Sequence, residues 1–276
     1  MTNDHYITSL QNARVKQVVA LREKSAERRR TGLFVVEGRR EVERCKATGY
    51  EIVATFYLKG TEETEWTEDS EKRVDSERRA DSERCYVVSP AVYKKIAMRE
   101  STEGVVAVVK ARSHRLQDLP LGDNPLVVVL ERVEKPGNLG AVLRSADAAG
   151  VDAVIVCDPL TDLYNPQIMR SSTGAFFSVP TVTCSSEECI SFLKERGISI
   201  LTAQLQDSHL YYNTDMRRPT AIVMGTEATG LTDLWRKAAD AHIRIPMLGL
   251  VDSLNVSVSA AILMYEAVRQ RTKVEG

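Results

Sequence analysis

From residue 126 onward the chain alternates short, mostly apolar runs with stretches of helical period, and no other feature restricts its fold so strongly. The apolar runs are Leu126–Leu130, Ala153–Cys157, Ser178–Thr183, Ile198–Ala203, Ala221–Met224 and His242–Ile245. Helical periods fit residues 139–149, 187–196, 231–239 and 255–271. Strands without polar alternation are buried on both faces, and strands separated by helices are joined by crossovers. The expectation is an α/β fold with a mostly parallel sheet in this half, carrying ligands at the carboxyl ends of its strands.

Residues 1–112 read as a smaller α/β domain. A helix fits 11–29, then strand Leu33–Val36, a helix over 38–48 and strand Glu51–Leu58. Cys85–Val88, a helix from Pro90 to Met98 and strand Val105–Lys110 complete it. The intervening tract 61–84 is nearly devoid of apolar residues and repeats Asp-Ser-Glu-Arg at 75–78 and 81–84, so it reads as a mobile surface excursion. Periodicity stops over Ser113–Asn124, where Pro120, Gly122, Asp123 and Asn124 supply turn chemistry. The join is therefore placed at 113–124, with the second domain at 125–276.

Charge distribution matters more than total charge. The net charge of −1 argues against a polyanionic partner, yet residues 1–46 hold 11 Lys/Arg against 6 Asp/Glu. A local basic face is enough to neutralise phosphate, although solvated helix faces give the same composition. Lys16, Arg39 and Arg40 are the candidate phosphate contacts of this region. The five cysteines include no Cys-x-x-Cys, and the close pair Cys184 and Cys189 has no histidine at ligand spacing. Neither a disulfide framework nor a zinc site is expected; a reducing cytoplasm is. No apolar run approaches the roughly 20 residues that span a bilayer. The N-terminus also lacks an apolar segment before its first charges, unlike a secretory signal.

Three segments carry chemistry. In the first, Glu131–Gly150, a Pro136-Gly137 turn leads to Asn138, read as a helix cap, and to Arg144 in the following helix. In the second, Ala221–Leu231, an apolar strand ends at Gly225, followed by Glu227 and Gly230. The spacing is not that of a phosphate-binding glycine loop. In the third, Ile243–Ala261, a strand runs through Ile245 and Pro246 into an apolar loop. The loop ends in Ser253-Leu254-Asn255 at the start of a long helix. Such a loop suits the lining of a cofactor pocket better than a solvated turn. Each segment alone is equally compatible with an ordinary capped helix or strand–turn–helix connection.

Taken together and in this order, they resemble the three motifs of the SpoU/TrmH RNA ribose methyltransferases. The matching residues are Asn138-x-Gly140-x-x-x-Arg144, Gly225-x-Glu227-x-x-Gly230, and Ile245-Pro246-Met247 through Ser253-Leu254-Asn255-Val256-Ser257-Val258. Arg170–Pro180 is similar to the connecting segment of that family. Phe34–Gly38 with its following helix is similar to the family's small RNA-recognition domain, which has a ribosomal-protein-like fold. The resemblance implies a trefoil knot in the C-terminal domain and a homodimer in which both subunits shape each cleft. It implies methyl transfer from S-adenosylmethionine to a ribose 2′-oxygen, leaving S-adenosylhomocysteine. Arg144 would be the catalytic centre, acting as base or holding the phosphate, with Asn138, Ser253 and Asn255 orienting and Glu227 supporting. Gly225, Ile245 and Leu254 would hold the cofactor. No metal is implied, and the four histidines show no ligand pattern. The extra N-terminal domain favours ribosomal over transfer RNA. A base methyltransferase of the same superfamily and a non-catalytic RNA-binding factor are the alternatives.

Overall fold

The computed structural model describes residues 6–61, 84–98, 103–112, 114–226 and 229–272. The tract 62–83 lies outside them. The chain divides into two compact units, Met1–Arg112 with Tyr164–Arg170, and Ser113–Leu163 with Ser171–Gly276.

The first unit is a five-stranded sheet in the order β1-β4-β3-β5-β2, where β1 is Tyr6–Ile7, β2 Leu33–Glu37, β3 Ile52–Leu58, β4 Arg84–Val88 and β5 Val105–Lys110. Only β5 runs against its neighbours. Helices α1 (Ala13–Glu23) and α4 (Pro90–Ile96) bury Val15, Val18, Leu21, Val92 and Ile96 on one face, against Val35, Phe56 and Val106. Phe34, one residue out of phase on β2, packs on the other face against Tyr50 and Tyr164, at 6.2 and 4.5 Å between ring centres. Helix α3 (Arg39–Ala47) contributes Val42 and Cys45 to buried positions.

The single helix expected over 11–29 is two helices, α1 and α2 (Ser25–Thr31), broken at Lys24, whose backbone is extended. Arg28 explains how the break is tolerated. Its buried guanidinium donates to the carbonyls of Leu21 and Arg22 at 2.6 and 3.2 Å, satisfying acceptors at the interruption. This arginine is committed to structure, so the basic excess of the region is smaller at the surface than in the sequence.

The second unit is a seven-stranded sheet ordered β10-β12-β9-β11-β6-β7-β8, with every pair parallel. Its strands are β6 Leu126–Glu131, β7 Ala153–Cys157, β8 Thr181–Cys184, β9 Ser199–Ala203, β10 His209–Leu210, β11 Thr220–Met224 and β12 Ala241–Arg244. All residues of β6, β7 and β11 are buried, which is why these runs lack polar alternation. Two short helices were not anticipated: α6 (Pro166–Ser171), which belongs to the first unit up to Arg170, and α7 (Ala175–Ser178), which takes the start of the expected strand 178–183. Thr173 and Gly174 have positive φ (49° and 86°), which turns the chain into α7, and β8 begins only at Thr181. Residues read as a join are partly core: Leu116 and Leu119 are buried in the second unit.

Helix α5 (Pro136–Ala149) starts on Pro136, whose missing N–H costs nothing there, and ends on Gly150 at φ 64°. Helix α8 (Ser186–Glu195) has a reciprocal capping box between Ser185 and Glu188. After α9 (Asp233–Ala238), the last helix, α10 (Val256–Arg271), packs on α5. Its far end is pinned by Arg271, which donates to the carbonyls of Met216, Asn124, Pro125 and Arg218 at 2.6–3.3 Å. Burial pulls this guanidinium's pKa down, a penalty those four acceptors offset. Arg271→Met keeps the apolar stem and removes the donors. It is expected to destabilise the second unit by about 2 kcal/mol, read as a lower thermal midpoint. An unchanged midpoint would show that water replaces the clamp without loss.

Candidate active site

The motif segments meet at the carboxyl ends of the central strands. Asn255 caps α10, its Oδ1 accepting from the Ser257 amide at 2.9 Å and the Ser257 hydroxyl at 2.6 Å. Its Nδ2 donates to Asn138 Oδ1 at 3.2 Å, joining residues 117 apart in sequence. Asn138 is not the helix cap expected from the sequence. Proline at 136 starts α5 earlier, Lys135 is the N-cap, and the Asn138 amide donates to the Lys135 carbonyl at 3.0 Å.

Two adjoining clefts open here and share Gly225, Thr226 and Val256. The larger, of about 370 Å³, is lined by Gly225, Ile245, Met247, Ser253 and Leu254 among others. The smaller includes Glu131, Lys135 and Asn138. Ser253 is exposed and donates to Asp252 at 3.1 Å. Glu227 lies outside the described residues. Gly225 is required by close approach of backbone to backbone: a Cβ there would stand 2.2 Å from the Gly230 carbonyl carbon and oxygen and 2.5 Å from the Leu231 nitrogen.

Arg144 is the residue that stands apart. It is exposed, has no hydrogen bond or ion pair among the described residues, and lines neither cleft. Six residues along an α-helix carry it about 9 Å beyond Asn138 and rotate it to a different face. The apolar loop also departs from expectation. Met247 and Leu254 line the cleft, but Leu248, Leu250 and Val251 are 97, 106 and 63% exposed. A connection of this length touches the cleft at its two ends only.

Residues not singled out from the sequence complete the site. Gln204 and Arg236 line the larger cleft, and Gln204 Oε1 and Arg236 Nε are buried without a hydrogen-bond partner among the described residues. Glu131, 2% exposed at the end of β6, accepts from the Thr232 amide and hydroxyl at 2.9 and 2.7 Å, tying β6 to the segment after Gly230. A lone carboxylate ending the apolar run Leu126–Glu131 was the available signal for it; Gln204, one residue beyond β9, offered only its place at a strand end.

The SpoU rRNA Methylase family matches residues 125–265, which bear all of this geometry. The chain belongs to that family. Residues 12–107 match an MRM3-like substrate binding domain, so the first unit of this SpoU methylase corresponds to a substrate-binding module. A 23S rRNA uridine 2′-O-methyltransferase of Streptomyces viridochromogenes is 33% identical, with 96% of this chain and 92% of the relative covered. A 23S rRNA guanosine 2′-O-methyltransferase of Bacillus subtilis is 30% identical over 94% of this chain and 97% of the relative. The S-adenosylmethionine-bound rRNA methyltransferase from Sinorhizobium meliloti superposes with a TM-score of 0.86 at 29% identity, covering 97% of this chain and 98% of that one.

The larger cleft of this SpoU methylase suits such a cofactor on its own terms. Its volume falls within the roughly 300–1,000 Å³ of small-molecule sites. Its apolar walls suit an adenosyl group, and the buried Gln204 and Arg236 atoms offer it an acceptor and a donor that no described residue engages.

Proposed function

We propose that this chain methylates a ribose 2′-hydroxyl in 23S ribosomal RNA, using S-adenosylmethionine held between the ends of β11 and β12. The observation that carries this reading is the meeting of three separated motifs on two adjoining clefts, one fitted to the cofactor and one bearing Asn138. Bound there, S-adenosylmethionine supplies a methyl group already activated by its sulfonium. Such a leaving group needs no electrophilic metal. Gly225, Ile245 and Leu254 form the cofactor's wall, and Glu227, by its place in the second motif, supports the site. The Asn138–Asn255 pair and Ser253 orient the incoming ribose. Arg144 holds the substrate phosphate and assists loss of the hydroxyl proton.

Arg144 serves this role across a homodimer, since it lines neither of its own chain's clefts. Exposed Val258 and Tyr265 on α10, seven residues apart on one helical face, supply an apolar surface for the partner, as do Leu248 and Leu250. We infer a trefoil knot around β11 and β12. The separation of these consecutive strands by β9, and the return of α10 onto α5, support it. Among the described residues no helix is long and apolar enough to cross a membrane. We place the enzyme in the cytoplasm with the ribosome.

The first unit would present the RNA. Strands β1, β2 and β4 run the same way, so α1, α3 and α4, which follow them, all start at one edge of the sheet. That brings Lys16 of α1 to the same edge as Arg39 and Arg40 of α3, although the helices cover opposite faces. Lys16 and Arg40 are exposed; Arg39 is half-buried, and its amide donates to Glu103 at 2.6 Å. A triple Lys16/Arg39/Arg40→Ala variant should bind RNA more weakly, with its salt slope reduced by about 0.7–0.9 per lost contact. Cofactor affinity should not change. Unaltered RNA affinity at low salt would remove these residues from the interface.

The decisive experiment is methyl transfer to ribosomal RNA from cells lacking the gene, followed by mapping of 2′-O-methylated nucleotides. The two relatives methylate the ribose of different nucleosides, a uridine and a guanosine, so mapping must name the nucleotide. The expected result is a single new ribose methylation in 23S RNA. Transfer to a base, or to transfer RNA alone, would refute the reading.

A further inference from the structure

The second unit gathers three cysteines away from the two motif clefts. Cys157 ends β7, Cys184 ends β8 in direct register with it, and Cys189 lies in the first turn of α8. The Cys157 and Cys184 sulfurs are 4.0 Å apart, and all three sulfurs lie within 4.8 Å of one another. Cys157 and Cys189 are buried and Cys184 is half-buried. Sequence spacing argued against a metal site because the two strands, 27 residues apart at these positions, become neighbours only in the folded sheet.

The dimensions of the trio decide what it can hold. With one pair of sulfurs 4.0 Å apart and none farther than 4.8 Å, a point equidistant from the three lies within about 2.8 Å of each, and a zinc–thiolate bond is about 2.3 Å. A contraction of a few tenths of an ångström brings all three into bonding distance. A disulfide matches less well. It would pair two of the sulfurs and leave the third of the cluster unused.

We propose that Cys157, Cys184 and Cys189 form a three-thiolate site for one thiophilic d10 metal ion, zinc or cuprous copper. Soft sulfur donors select these ions over harder ones. Cys184 borders a solvent-open cleft that also carries His114, Glu187 and Ser191, which provides an entry path and room for a fourth ligand. Each coordinating thiol gives up its proton, so binding releases up to three protons with no change of oxidation state. The bound ion would tie the first turn of α8 to the ends of β7 and β8, a structural role independent of methyl transfer.

The test uses the full-length protein, reduced, freed of metal and kept anaerobic. Separate titrations with zinc and with cuprous ion are read by metal retained after gel filtration, by proton release and by thiol reactivity. One ion per chain is expected from at least one titration, with three of the five thiols shielded and a higher thermal midpoint. Cys184→Ser should abolish retention, whereas Cys85→Ser, at an exposed cysteine outside the trio, should leave it intact. Cys189→Ala, checked for folding by circular dichroism, is the second variant. Retention of neither ion overturns the proposal. Retention unchanged in both Cys184→Ser and Cys189→Ala overturns it too, as does a disulfide within the trio in protein never exposed to oxidant.

Discussion

Arg144→Ala is expected to lower methyl transfer by about 10²–10⁴-fold, the range for loss of a positioned proton-transfer group, while cofactor affinity and stability stay unchanged. The separation follows from where the side chain stands. Arg144 is exposed, unpaired among the described residues and outside the cofactor cleft, so its removal takes nothing from the fold. Surface substitutions of this kind change stability by about 0.5 kcal/mol or less. Arg144→Lys should fail nearly as badly, because an ammonium cannot reproduce the planar fork that grips a phosphate while reaching a hydroxyl. Mixing an Arg144→Ala chain with a chain defective in cofactor binding tests the dimer directly. If Arg144 serves the partner's cleft, the mixed dimer regains one working site. Activity that never recovers on mixing would place Arg144 at its own chain's cleft. Near-normal turnover with lysine would show that charge alone suffices and that the planar fork is not needed.

Gly225→Ala is expected to abolish cofactor binding and to destabilise the second unit by about 3 kcal/mol, through overpacking. The added carbon would collide with backbone atoms of Gly230 and Leu231, which no rotamer change relieves. The segment after Gly225 must shift, and with it the wall shared by both clefts. The close approach couples the loss of the pocket to the loss of stability. Gly230→Ala is the contrast. A Cβ there meets nothing within 4 Å, but φ is +67°, so the cost is conformational, about 1–2 kcal/mol. Thermal melts and calorimetric titration with S-adenosylmethionine distinguish the pair. Equal losses of affinity in the two variants would refute a special role for the Gly225 contact.

The missed details share a cause. Periodicity reports whether a residue is buried, and the all-buried β6, β7 and β11 were legible for that reason. It is blind to interruptions repaired by side chains, such as the Lys24 break bridged by Arg28. It is equally blind to two-residue strands such as β1 and β10, which hold too few residues to display a period.

What the sequence determined by itself was local: the strands and helices of a parallel α/β unit, the turn residues that end them, and the three motif segments at strand ends. Those properties depend on residues within a few positions of one another. The tertiary structure alone decided adjacency. It set β9 between β11 and β12, joined Asn255 to Asn138 and Glu131 to Thr232, and brought Cys184 beside Cys157. It also left Arg144 outside the clefts its motif partners line. An apolar strand carries the same burial signal whichever strand lies beside it, so the order of the sheet, and every contact that follows from that order, is settled only when the whole core packs.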